Sequence, residues 1–108
     1  MKRALVCLAI AAGSAHAGFW DGNRLHKELT GNQAERLLGL GYIMGVADAL
    51  QNAIVCAPGN VNAGQMRDMV ANYLANVPAE RHLPADSIVA KVLRSQWPCS
   101  DKPAGGTL

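Results

Sequence analysis

The sequence predicts an all-α domain, a small bundle of about four helices clamped by one disulfide. Half of its 108 residues are apolar and 17% are charged, a composition that suits one small domain with a buried core. Apolar residues recur at helical spacing in several segments, whereas no segment alternates β-branched and polar residues as strands do. Two cysteines outside the N-terminal region, Cys56 and Cys99, are able to pair.

The N-terminus carries the three-part pattern of a cleaved secretory signal. Residues 1–3 are positively charged, and the apolar run 4–12 is far shorter than the roughly 20 residues that span a bilayer. Small residues, Ala15 and Ala17, occupy the two positions that signal peptidase requires before a cut after Ala17. We therefore predict a mature chain that begins at Gly18 and is exported to the periplasm.

The cysteine count of the mature chain indicates a disulfide. Cys7 leaves with the signal, and the remaining pair, Cys56 and Cys99, is an even number in a small exported domain. Closing a loop of about 44 residues would stabilise the fold by roughly 4 kcal/mol in the chain-entropy model. A redox thiol is the alternative, but the sequence has no Cys-x-x-C motif.

The charge balance argues against a nucleic-acid-binding surface. The chain has 10 basic and 8 acidic residues, a formal charge of +2, and the two surplus basic residues are Lys2 and Arg3. The predicted mature chain is therefore neutral, without the basic patch that nucleic acid requires.

The first two predicted helices differ in character. A short helix is expected over 23–29. Asn32, with Glu35 three residues later, forms a capping-box pattern that opens a second helix over 33–55. This second segment is apolar nearly all round, which is typical of a central helix wrapped by others.

The second helix carries a strip of small residues that predicts the close approach of another helix. They recur every four residues: Gly41, Gly45, Ala49 and Ala53. The same spacing is found in membrane helices, but Asp48 would cost about 2.5–3.5 kcal/mol there. We expect the Asp48 carboxylate to bond a backbone N–H, a tyrosine or an arginine, with a catalytic acid as the alternative.

Two further helices follow. Asn62 as the cap and Gln65 as its partner open the third, which ends before Pro78. Its apolar stripe has helical spacing: Met66, Met69, Val70, Tyr73, Leu74 and Val77. The fourth helix begins at Pro84 and stops by Trp97.

The chain thus divides into a signal peptide over 1–17, a helical domain over 18–100 and a disordered tail over 101–108. Its chemistry is sparse, because His26 and His82 are far apart and no Cys or carboxylate stands at metal-ligand spacing from them. We find no nucleophile motif, phosphate-binding loop or haem motif. The sequence therefore predicts a protein without catalytic residues, metal or cofactor that works by binding.

A series of short motifs resembles the Rap/Tai family of type VI secretion amidase immunity proteins. In order along the chain they are Trp20-Asp21-Gly22-Asn23-x-Leu25, Gly41-Tyr42-x-x-Gly45-x-x-Asp48, Cys56-x-Pro58, Val61-x-x-x-Gln65, Tyr73-Leu74, Pro78-x-x-Arg81 and Trp97-Pro98-Cys99. No single motif is specific, but their combined order and spacing is. Gly41, Tyr42, Gly45 and Asp48 resemble residues that maintain the family fold.

The resemblance implies a small exported helical protein that binds and blocks a peptidoglycan amidase toxin in the periplasm. It also implies a homodimer that inserts a projecting loop into the active-site groove of the amidase. An enzyme is not expected. The alternative function is a periplasmic acid-stress chaperone, a class of similar size, helical content and single disulfide.

Two connections qualify as the projecting loop. Residues 58–60 follow Cys56, so the disulfide anchors one end. The segment 78–84 has a proline at each end, which lowers the ordering cost of binding. We favour the second as the toxin-contact loop because it carries three polar side chains: Glu80, Arg81 and His82. The alternatives are ordinary solvated turn residues and, for Arg81, a role in the fold.

Overall fold

A computed structural model of the chain describes residues 19–100. Its elements in order are α1 (Gly22–Leu29), α2 (Gln33–Leu50), α3 (Ala63–Asn76), a short 3-10 helix (Pro78–Glu80) and α4 (Ala85–Gln96). The described residues form isolated β-bridges but no strand, so the all-α prediction is confirmed. The predicted signal peptide and tail lie outside the described residues. Within 19–100 no helix combines the length and apolar content that a membrane span requires.

Side chains cap the first three helices at their N-termini. Asp21 accepts a hydrogen bond from the backbone N–H of Arg24 at the start of α1. The capping boxes predicted at Asn32 and at Asn62 are both formed in full. Each such cap contributes about 1 kcal/mol because it satisfies N–H groups that have no partner inside the helix. The fourth helix lacks a side-chain cap and begins at Ala85, one residue after the predicted start.

The core lies where all four α-helices meet. The apolar residues larger than alanine that are at most 2% exposed come from all four α-helices and from the connection after α2: Leu25, Ile43, Val55, Val70, Leu74, Ile88, Val89 and Leu93. Burying one such side chain stabilises the fold by about 1.5–3 kcal/mol. The apolar stripe predicted for α3 supplies two of these eight residues, and α4 supplies three.

The predicted position of α2 was wrong in two respects. The helix ends at Leu50 rather than Val55, and it is not wrapped by the others. It contacts α1, α3 and α4, and the residues that it buries form one row: Gly39, Ile43 and Ala47. The outward face keeps Leu37 and Leu38 at 60% and 50% exposure.

The predicted strip of small residues is exposed and is not packed tightly against a second helix. Gly41 and Gly45 are exposed, and a Cβ atom added to either would meet nothing within 4 Å. These positions lie about 200° around the helix axis from the buried row two residues earlier. The close approach occurs in that row, where a Cβ on Gly39 would lie 2.8 Å from Leu29 Cδ2.

The disulfide joins the connection after α2 to the segment after α4. Cys56 and Cys99 are bonded, with their Cα atoms 4.8 Å apart, as the cysteine count predicted. Before it, the chain turns sharply at Asn52, whose φ of 67° is tolerated by asparagine better than by most residues. The backbone N–H of Cys56 also donates to the Trp97 carbonyl at 2.8 Å.

Candidate functional site

The loop 78–84 is fastened to the start of α1 through its backbone. The N–H groups of Gly22 and Asn23 donate to the carbonyls of Leu83 and Arg81 at 2.9 and 2.8 Å. The first N–H groups of a helix have no partner within the helix, so the loop satisfies donors that would otherwise face solvent. The loop is therefore ordered before any partner arrives.

Glu80 ties the same loop to α3 and α4. Its carboxylate accepts a 2.7 Å hydrogen bond from the Tyr73 hydroxyl and a 3.0 Å hydrogen bond from Lys91 Nζ. The Lys91 ammonium also donates to the Tyr73 hydroxyl. The hydrogen bond from Tyr73, followed by the contact with Lys91, lowers the pKa of Glu80. The hydrogen bonds to Tyr73 and Glu80 raise the pKa of Lys91.

We expect this network to make stability depend on pH through Glu80. Its folded-state pKa lies below the ordinary 4.5, so the contribution is present above that value and is lost as the pH falls through the folded-state pKa. The loss of unfolding free energy caused by Glu80→Gln should therefore be larger at pH 7 than at pH 3, measured by urea denaturation. Asp68→Asn, which removes an exposed carboxylate that pairs with Arg67 among the described residues, is the control. A Glu80→Gln effect of equal size at both pH values would contradict the assignment.

Arg81 also serves the fold, whereas His82 remains available. The Arg81 Nε donates to the Leu74 carbonyl at 2.6 Å, and this carbonyl lies in the last turn of α3, where carbonyls lack helical partners. His82 is exposed, with Nδ1 2.9 Å from the Ala79 carbonyl oxygen. Of the three side chains predicted to contact a toxin, His82 is thus the one that is exposed, whereas Glu80 and Arg81 are half-buried.

The second candidate connection, 58–60, lies within the segment 56–61, which forms one wall of a pocket. The Gln51 side-chain amide bonds both backbone groups of Ala57, donating to its carbonyl at 2.9 Å and accepting from its N–H at 3.3 Å. The Val61 N–H closes the turn onto the Pro58 carbonyl at 3.1 Å. Together with the disulfide, these bonds fix the connection against the end of α2.

The chain matches a known protein family over nearly all of the described domain. The match is to the family described as Rap1a immunity proteins, and it covers residues 21–99. The chain belongs to the Rap1a immunity family. No curated protein matched the chain in a sequence search. Membership implies a toxin as partner and a role as a non-catalytic inhibitor.

The described part of this Rap1a-family chain has few groups suited to chemistry. Within 19–100 no three His, Cys, Asp or Glu side chains lie close enough to hold a metal ion. Burial, followed by the charge of Arg81, lowers the pKa of His26. The structure does not gather the four motif residues of α2 into one site. Tyr42 stacks on Trp20 at a centroid distance of 4.8 Å, whereas Gly41, Gly45 and Asp48 are exposed.

Sequence reasoning missed an ion pair on α1 that joins a half-exposed arginine to a buried carboxylate. Glu28 is 4% exposed and accepts a 2.6 Å hydrogen bond from Arg24, whose guanidinium also lies over the Trp20 ring. The other carboxylate oxygen of Glu28 has no hydrogen-bond partner among the described residues. The i,i+4 spacing of Arg24 and Glu28 was a visible signal of the pair, but it gave no indication of the burial.

Proposed function

We propose that this chain is a periplasmic immunity protein that binds and inhibits a peptidoglycan amidase toxin delivered by type VI secretion. The family match over 21–99 carries the proposal. The signal pattern at the N-terminus and the Cys56–Cys99 disulfide support export, because disulfides persist in the oxidising periplasm. The homodimer that the family resemblance implies is part of the proposal.

Inhibition of this kind requires only that a rigid segment fill the groove that the substrate would occupy. The loop 78–84 suits that task because its backbone bonds to α1 and the Glu80 network hold it in one conformation, which lowers the entropy lost on binding. His82 provides an exposed imidazole, and Leu83 beside it is 36% exposed. In protein interfaces a few well-ordered side chains carry most of the binding energy.

We expect the purified mature chain to abolish the activity of a peptidoglycan amidase encoded by a neighbouring gene. His82→Ala should weaken binding by about tenfold, because truncating an interface anchor costs more than about 1 kcal/mol. Binding is measured by isothermal titration calorimetry and inhibition by the release of amidase-cleaved peptidoglycan fragments.

Gln33→Ala is the matched control. Gln33 is an exposed polar residue in the first turn of α2, which follows the C-terminal end of α1. The loop 78–84 is bonded to the N-terminal end of α1. The control should bind as the wild type does. Full inhibition by His82→Ala would reject the loop assignment. The absence of binding by the wild type at micromolar concentration would reject the proposal that its target is an amidase.

A further inference from the structure

A pocket of about 250 Å³ opens between the last turns of α2, the connection 56–61 and the first turn of α3. Its lining is more apolar than polar and includes Met44 on α2, Val61 in the connection and Met66 on α3. Methionine side chains adapt to the shape of what binds them. Asp48 carries the only charge among the described residues that line this pocket, which we call the Asp48 pocket.

The walls of the Asp48 pocket are fixed in advance. Gln51 and the disulfide hold one wall, and the capping box of Asn62 holds the other, where α3 begins. The side chains of Gln51 and Asn62 both line the pocket and are both engaged in these bonds. A preformed pocket loses little entropy when it is occupied.

Asp48 makes no visible contribution to the stability of the fold. Its carboxylate is exposed and has no hydrogen-bond or ion-pair partner among residues 19–100, contrary to the expectation from the sequence. It lies in the last turn of α2, where the helix dipole already places negative charge and where no basic residue compensates it. A charge that is unfavourable at its place in the helix, and that no other group of the described chain compensates, indicates a role in binding another molecule.

We infer that the Asp48 pocket receives a basic side chain, lysine or arginine, from the protein partner. Such side chains have a long apolar stem and a charged end. The stem matches the apolar wall formed by Met44 and Met66, and the charge matches the carboxylate together with the negative end of α2. That this partner is the toxin rests on the proposed function, whereas the preference for a cation rests on the pocket alone.

The cation preference is tested on the mature wild-type chain with three small probes that share one backbone: the N-acetyl amides of lysine, arginine and norleucine. Backbone amide shifts of residues 57–63 are followed by NMR. Lysine or arginine should produce saturable shifts, with norleucine, which lacks the charge, about fivefold weaker. Asp48→Asn should bind the cationic probe as weakly as norleucine and should unfold at an equal or slightly higher urea concentration.

Asp68→Asn is the matched control, because it removes one exposed carboxylate from α3 outside the pocket. It should bind the cationic probe as the wild type does. Equal binding of norleucine and the cationic probes, an unchanged affinity in Asp48→Asn or the absence of saturable shifts at residues 57–63 would each overturn the proposal.

The amidase provides the second measurement. Asp48→Asn should weaken binding of the amidase by about tenfold and reduce its dependence on salt. If both forms bind the amidase equally, the toxin does not use the pocket, although the proposed function stands. If the wild type binds the lysine or arginine probe but no amidase, the proposed function fails and the cation pocket stands.

Discussion

Replacing Cys56 and Cys99 together by alanine should lower the free energy of unfolding by about 2–5 kcal/mol. The bond joins positions separated by 43 residues and thereby links the connection after α2 to the end of α4. In the chain-entropy model the loss arises because the unfolded chain regains the freedom that the closed loop had removed. A domain of this size buries a modest fraction of its surface, so the loss is a large part of its stability.

Urea denaturation of the mature protein, followed by circular dichroism, measures this loss. Wild-type protein treated with dithiothreitol should unfold close to the midpoint of the double variant, and the reductant should leave the double variant unchanged. A double variant as stable as the oxidised wild type would mean that the disulfide forms because the two segments are close together and does not stabilise the fold.

Local signals in the sequence were sufficient for the fold class and for several boundaries. The capping boxes at Asn32 and Asn62 involve residues three apart, so the pattern alone locates the helix start within one residue. The disulfide was predictable because two cysteines, and therefore one possible intramolecular pair, remain once Cys7 is assigned to the predicted signal peptide. The capping boxes depend on contacts between residues close in sequence, and the disulfide had no competing pairing.

The packing of α2 depended on information that its own sequence does not contain. The helix carries apolar and small residues on all its faces. Hydropathy therefore did not distinguish the row through Ile43 from the strip through Gly45. The positions of α1, α3 and α4 decide which row is buried, and those depend on the whole fold.

The interactions of the loop 78–84 were hidden for the same reason. Arg81 donates to the backbone carbonyl of Leu74. Because every residue has such a carbonyl, the amino-acid sequence did not identify Leu74 as the partner. Glu80 does bond two side chains, but Tyr73 and Lys91 lie seven and eleven positions away on different helices. The pocket around Asp48 likewise joins three segments that are adjacent only after folding.

Alanine substitution at two glycines should change stability in opposite directions. A Cβ on Gly22 would lie 2.8 Å from the carbonyl oxygen and 2.9 Å from the Cα of Arg81, as well as 2.6 Å from the Ile88 side chain. Because two of these atoms are backbone, α1 and the loop 78–84 must separate, and we expect a loss of about 2–3 kcal/mol. Gly45→Ala adds a methyl group in open space within a helix and should gain about 0.5–1 kcal/mol.

Urea denaturation of the two variants beside the wild type decides between the observed packing and the close-packed strip that the sequence predicted. A buried strip would make Gly45→Ala destabilising, since a second helix would lie against the added methyl group. Hydrogen exchange separates the two sites further, because Gly22→Ala should speed exchange of the Asn23 N–H that donates to Arg81. An unchanged Gly22→Ala midpoint would mean that the start of α1 and the loop move apart at little cost. The loop would then be a flexible segment and not the preformed surface that toxin binding requires.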